Sequence, residues 1–274
     1  MKITHQYFGL KFISSVAIFS MSSCYVGGVT SDPYIVSESR QKENLYYMPS
    51  APNTPLHSQK NDINLSMMAT SDSKYSGGEL QGSYMLGKHL GVMGSYSFAH
   101  SNGSYSDYVK HNRFELGAGY VTQFSNNWHF ETYAGFGNGK ITNRHHTGSS
   151  EIKLTHFFVQ PTIAVSSENK KIQLGFVSKF AGVNFNVKDT SFSNNREPFS
   201  TRQVKSLYAQ SFHIMWEPGV VFRFGWKNFQ FHTGYSYSAD VTNTDLYKAN
   251  GNFSMGFCLR LNTQPVIKDK NKVE

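Results

Sequence analysis

The sequence predicts an all-β protein: a closed, antiparallel, up-and-down transmembrane β-barrel of about ten strands, within a range of roughly eight to twelve. Three observations predict it. After Asn61 large apolar residues alternate with small or polar ones, with period two, in run after run. Of 274 residues 39% are hydrophobic but only 16% charged, while mean hydropathy is −0.43. That excludes a bundle of membrane helices, and a water-exposed surface would carry more charge. Short turns also alternate with mostly longer connections, as in barrels that cross a membrane.

In chain order, residues 1–23 read as a secretory signal. Lys2 and Lys11 give the positive start, and Phe12 to Phe19 an apolar stretch too short to span a bilayer. Met21-Ser22-Ser23-Cys24 resembles a lipobox, which would make Cys24 the site of lipidation. The alternative is an ordinary signal cut nearby with Cys24 incidental, and Met21 at a position where Leu is usual keeps it open. Cys24 and Cys258 are the two cysteines, so acylation of Cys24 leaves no disulfide. Residues 24–60 contain Pro33, Pro49, Pro52 and Pro55 with no periodicity, and read as a lipid-anchored periplasmic tether, with three paths left open: across to peptidoglycan, under the barrel, or into it as a plug.

Residues 61–262 read as the barrel. The purest runs are Phe212-Ile214-Trp216-Pro218-Val220-Phe222-Phe224, Phe229-Phe231-Tyr235-Tyr237 and Phe253-Met255-Phe257-Leu259-Leu261. The other runs lie near 62–70, 79–86, 90–99, 113–124, 128–140, 152–166 and 171–187. The last slips phase at Ala181-Gly182, where a bulge is expected. No large-face position assigned from Ile63 to Leu261 is Asp, Glu, Lys, Arg or His, so this face meets lipid. Short turns at 87–89, 125–127, 167–170 and 225–227 are expected on the periplasmic side, and connections 100–112, 141–151, 188–210 and 241–250 outside. Phe124, Trp128, Phe222, Trp226 and Phe229 cluster near the short turns, where aromatic rings favour the headgroup boundary. Residues 263–274 read as a periplasmic tail.

The opposite face holds the ionisable groups. Glu79, Glu115, Glu131, Lys179, Glu217, Arg223 and Arg260 form the expected lumen charge network, joined by Arg113, Lys153, His129, His156, His213 and His232. Mixed signs in a narrow lumen pair with one another, because an unpaired charge away from water is costly. Two readings follow: a structural network that fills the barrel, or a narrow conduit for ions or small solutes. A third reading is a lipid-modifying barrel enzyme: His232, Ser236 and Glu217 share the lumen face and could be drawn as its nucleophile trio, but no local motif supports one. No catalytic residue, metal site or cofactor is expected. His145-His146 lacks companion ligands, and Gly135 to Gly139 lies on a strand rather than in a phosphate-binding loop. Net charge is +8, or +6 once Lys2 and Lys11 leave with 1–23. The basic residues form no run or stripe, so nucleic acid is not an expected partner. Anionic lipid headgroups are the expected partner of that charge.

Cys24, Tyr46-Tyr47 with Pro49, Pro52-Asn53-Thr54-Pro55-Leu56, Glu79-Leu80-Gln81-Gly82-Ser83-Tyr84 and Leu90-Gly91-Val92-Met93-Gly94 together resemble outer-membrane β-barrel lipoproteins of Bacteroidota-type bacteria. The likeness spans most of the mature chain. It implies a barrel, a lipid anchor and the outer membrane of a Gram-negative cell. Its partners would be outer-membrane lipids and the barrel-assembly and lipoprotein-export machineries, and it carries over no catalytic residues. The stretch Asn262 to Glu274 departs from barrels that end on an aromatic. The expected function is non-enzymatic, structural or binding through external loops.

Overall fold

The computed structural model describes residues 44–57, 59–72, 75–101, 108–125, 127–145, 148–192, 198–242, 246 and 248–262. The signal 1–23, Cys24, the first half of the tether, His146 and the tail 263–274 lie outside them.

Among the described residues the alternating runs form ten strands. They are β1 (Asp62–Ser71), β2 (Tyr75–Met85), β3 (Leu90–Ser101), β4 (Tyr108–Gln123), β5 (Trp128–His145), β6 (Gly148–Ser166), β7 (Ile172–Thr190), β8 (Phe212–Gly225), β9 (Phe229–Tyr237) and β10 (Gly251–Asn262). Ala239–Asp240 continues β9 past an interruption at Ser238, still paired to Met215 and Trp216 of β8. Each strand pairs antiparallel with its sequence neighbours. β1 closes the ring on β10, from Asp62 opposite Asn262 to Ser71 opposite Phe253. Closure removes every sheet edge, the condition for a sheet surrounded by lipid.

The period-two pattern maps onto the wall as expected through its lower part. Leu65, Met67, Leu80, Phe136, Phe157 and Phe176 are among the large apolar side chains exposed outwards. Glu79, Glu115, Glu131, Lys179, Glu217, Arg223 and Arg260 all point inwards and are buried. Aromatics gather at the short-turn end, where Phe124 stacks on Trp128 and Phe229 on Phe257.

The upper part of β5, β6 and β7 differs from the sequence expectation. β5 and β7 run on to His145 and Thr190 and β6 begins at Gly148, so the expected connection 141–151 is mostly strand. There the alternation inverts. Ile141, Ile152, Leu154, Val183 and Phe185 turn inwards into a buried apolar cluster, while Asn138, Lys153, Thr155, Asn184 and Asn186 face out. Lys153 is therefore external, not in the lumen: above the apolar belt the outside is polar, so the large residues bury inside. The same inversion accounts for the phase slip at Ala181-Gly182, where pairing stays in register. The actual bulge lies between Glu151 and Ile152, opposite Lys188. The connection 188–210 contains a helix not expected from the sequence, α1 (Pro198–Ala209). Proline suits a first helical turn, and the buried Val204 and Leu207, three positions apart, join that apolar cluster.

Candidate functional site

The lumen is occupied by the protein's own chain. Residues 44–57, expected within a periplasmic tether, instead run inside the barrel, and every one of them is buried. The reason is chemical. Asn44-Leu45-Tyr46-Tyr47-Met48-Pro49-Ser50-Ala51-Pro52-Asn53-Thr54-Pro55-Leu56-His57 has too many prolines for a strand or helix of its own. Its backbone groups must then find partners elsewhere, and the inward polar side chains supply them.

The contacts run in order along the barrel. At the short-turn end, Glu131 accepts the His57 N–H at 2.9 Å, Asn64 contacts the His57 ring at 3.1 Å, and Arg260 donates to the Leu56 carbonyl. Higher up, Gln160 Nε2 donates to Asn53 O at 2.7 Å. Glu79 accepts the Ala51 N–H at 2.9 Å while Gln81 Nε2 donates to Ala51 O at 3.1 Å. Ser236 Oγ donates to Ser50 O at 2.7 Å, and Asn252 Nδ2 to Pro49 O at 3.0 Å. The Tyr47 hydroxyl donates to Glu217 at mid-lumen, and towards the loop end Ala249 N donates to Tyr47 O at 2.8 Å. Leu45 N donates to Asn143 Oδ1 at 2.8 Å, and Asn44 N to Gln203 of α1 at 3.3 Å. The segment therefore crosses the lumen from short-turn end to loop end, with its N-terminal side at the loop end.

Inward glycines make room for it. A Cβ on Gly219 would sit 2.8 Å from Pro52 Cγ, and one on Gly175 would sit 3.3 Å from Thr54 Cγ2. Two cavities beside the segment are about 10 Å³ each, one lined by Met48, Glu79 and His111, the other by Pro52, Lys179 and Glu217. That is about the space of a single water.

The expected charge network divides in two. Glu115, Lys179 and Glu217 meet at mid-lumen. Lys179 Nζ is 2.6 Å from Glu115 Oε1 and 3.8 Å from Glu217 Oε2, and it donates to Ser50 Oγ at 3.1 Å. Arg113 at 3.4 Å and His156 at 2.9 Å complete the surroundings of Glu115. Glu79, Glu131 and Arg260 instead bind the backbone of the segment, and Arg223 Nε donates to His232 Nδ1 at 3.3 Å. Sequence reasoning left the other half of the site open: a plug was one of three paths for the tether, and no residue of 44–57 was assigned to the lumen. The Tyr46-Tyr47 pair among prolines was its only signal.

No nucleophile trio is assembled. Ser236 is committed to Ser50, His232 to Arg223 and Glu217 to Tyr47, and no hydrogen bond joins the three among the described residues. The His145 ring contacts Asn44 Oδ1 at 3.2 Å and packs on Phe192. Among the described residues no group of three His, Cys, Asp or Glu side chains could hold a metal ion.

No protein-family model matches this sequence, and no curated protein matches it. Solved structures do. The chain is similar to the translocator domain of the autotransporter NalP from Neisseria meningitidis, at 8% identity over 75% of this chain and 89% of that one, with a TM-score of 0.43. It is similar to Ail, the attachment invasion locus protein of Yersinia pestis, at 14% identity over 74% of this chain and 100% of that one, with a TM-score of 0.32. It is similar also to the outer-membrane protease OmpT from Escherichia coli, at 12% identity over 74% and 94%, with a TM-score of 0.35. The closed antiparallel barrel follows from the strand pairing itself, and nothing of those proteins' activities transfers at this distance.

Proposed function

We propose that this chain is a non-enzymatic outer-membrane barrel whose lumen is sealed by its own residues 44–57, and that it serves as a scaffold presenting its loop end for binding. The observation that carries this reading is the hydrogen-bonded path from His57 at Glu131 to Leu45 at Asn143. A conduit needs a continuous polar opening. Here the lumen charges are spent on each other and on the segment.

The charge-free apolar belt and the signal-like residues 1–23 support the outer membrane, as does the likeness to Bacteroidota-type barrel lipoproteins. Short turns would face the periplasm and loops the exterior. Asn44 and Leu45, bound by Gln203 and Asn143, would then lie at the exterior end of the lumen.

Planar-bilayer recording of the inserted protein tests the seal. The native chain should be silent, and deletion of 44–57 should produce discrete, salt-dependent steps. Steps from the native chain would make it a narrow channel and overturn the scaffold reading.

A further inference from the structure

The inversion of the alternation marks where the apolar belt ends. On β5 the last large outward residue is Phe136, on β6 Phe157 and on β7 Phe180. Lys140 stands twelve positions beyond Trp128 on β5. At ~3.3 Å per residue and a tilt of about 40°, that is roughly 30 Å above the short-turn aromatics, against an apolar band of about 25 Å. Side chains at this level meet the headgroups of the far leaflet.

The outward groups at this level are basic. Lys110, Arg144 and Lys153 face out and are exposed, as is Lys188. Lys140 faces out directly opposite Lys153 on the paired strand. Like charges placed directly opposite on neighbouring strands repel. Lys140 is 2.7 Å from Glu151, and Glu151 faces Asp189. Lys153 and Lys188 have no ion pair among the described residues. Lys188 is the extra residue of the bulge opposite Glu151 and Ile152, and bulges re-aim the side chains they carry. Among the described residues, five cations against two carboxylates, just above a wall of Phe side chains, call for an anion that also has acyl chains.

We infer that the outward face of β4–β7 at the loop end is a binding site for the phosphorylated glycolipid of the outer leaflet. The sugar phosphates lie among Lys110, Lys140, Lys153 and Lys188, and the acyl chains lie along Phe136, Phe157 and Phe180. This rests on the outer-membrane reading above.

The test uses the full chain refolded in detergent and native mass spectrometry with three lipids: bisphosphorylated lipid A, its dephosphorylated form and phosphatidylglycerol. The native chain should retain bisphosphorylated lipid A at least about tenfold more tightly than the other two, a few near-surface lysines being enough for that ratio. Lys110→Gln/Lys153→Gln/Lys188→Gln should abolish the preference. Lys88→Gln/Lys171→Gln/Lys227→Gln, at the short-turn end, should keep it. Undiminished preference in the loop-end variant, or equal retention of phosphatidylglycerol, overturns the site. Gel mobility separates the two failures: a chain without heat-modifiable mobility sinks the membrane reading, whereas a heat-modifiable barrel without phosphate preference sinks this site alone.

Discussion

Glu79 Oε2 accepts the backbone N–H of Ala51 at 2.9 Å, although the two stand 28 residues apart, one on the barrel wall and one in the segment that fills the lumen. Gln81, two positions along β2, donates to the carbonyl of the same Ala51 and to the other oxygen of Glu79 at 2.8 Å. One residue of the lumen segment is thus held by both of its backbone groups.

Glu79→Ala should leave the Ala51 N–H without its acceptor. An unmet buried donor costs ~1–3 kcal/mol. The expected outcome is a lower midpoint in denaturant titrations followed by heat-modifiable mobility, with greater proteolysis between Leu45 and Leu56. An unchanged midpoint and an intact segment would mean that Glu79 does not hold it.

Gly219→Ala tests the fit of the segment sterically. The added methyl meets Pro52 Cγ at 2.8 Å, and overpacking of this kind costs roughly 1–3 kcal/mol. Removing the ring in the double variant with Pro52→Ala should recover part of the loss. Additive losses in the two single variants and the double would show that residue 52 does not pack on β8.

Lys179→Met removes the cation between Glu115 and Glu217. Breaking a buried ion pair on one side costs about 3–5 kcal/mol, because the surviving charge stays buried. Adding Glu115→Gln should restore much of that stability, measured as the unfolding midpoint of each variant. A double variant no better than Lys179→Met alone would show that Lys179 does not balance Glu115.

Ala134 faces outwards at the middle of the apolar belt, six positions above Trp128 on β5. Ala134→Arg should cost about 2–4 kcal/mol if that face meets hydrocarbon. The same substitution at Asn186, above the belt, should be close to neutral. Equal effects at both positions in lipid-reconstituted protein would argue that the Ala134 face sees water.

Cys258 is buried and faces the lumen. With Cys24→Ser to leave one thiol, a maleimide should not label the folded barrel but should label it after heating. Rapid labelling in the fold would mean that the lumen admits solutes past residues 44–57.

Much of the barrel was legible because lipid imposes one rule on every outward position. Phe229, Phe231 and Phe253 could only alternate with Gln230, His232 and Asn252 if one face avoided water. That rule also misled. Ile152, Leu154 and Phe185 are large, so Lys153 was assigned to the lumen, yet above the belt the apolar interior lies inside the barrel. Helix α1 carried a faint signal, with two apolar residues in one turn, and it forms because Val204 and Leu207 reach that interior.

The sequence by itself determined the strands of the belt, the face each presents, and the inward position of Glu79, Glu115, Glu131, Lys179, Glu217, Arg223 and Arg260. Those follow from period two and the cost of charge in lipid, both local to each strand. Tertiary structure alone decided what the lumen contains. The partners of residues 44–57 are scattered from Asn64 to Arg260, and a proline-rich stretch has no periodicity to announce them. Only closing the ring brings Asn143, Glu79, Ser236 and Glu131 around one path, where its unpaired backbone groups find the hydrogen bonds that water would otherwise supply.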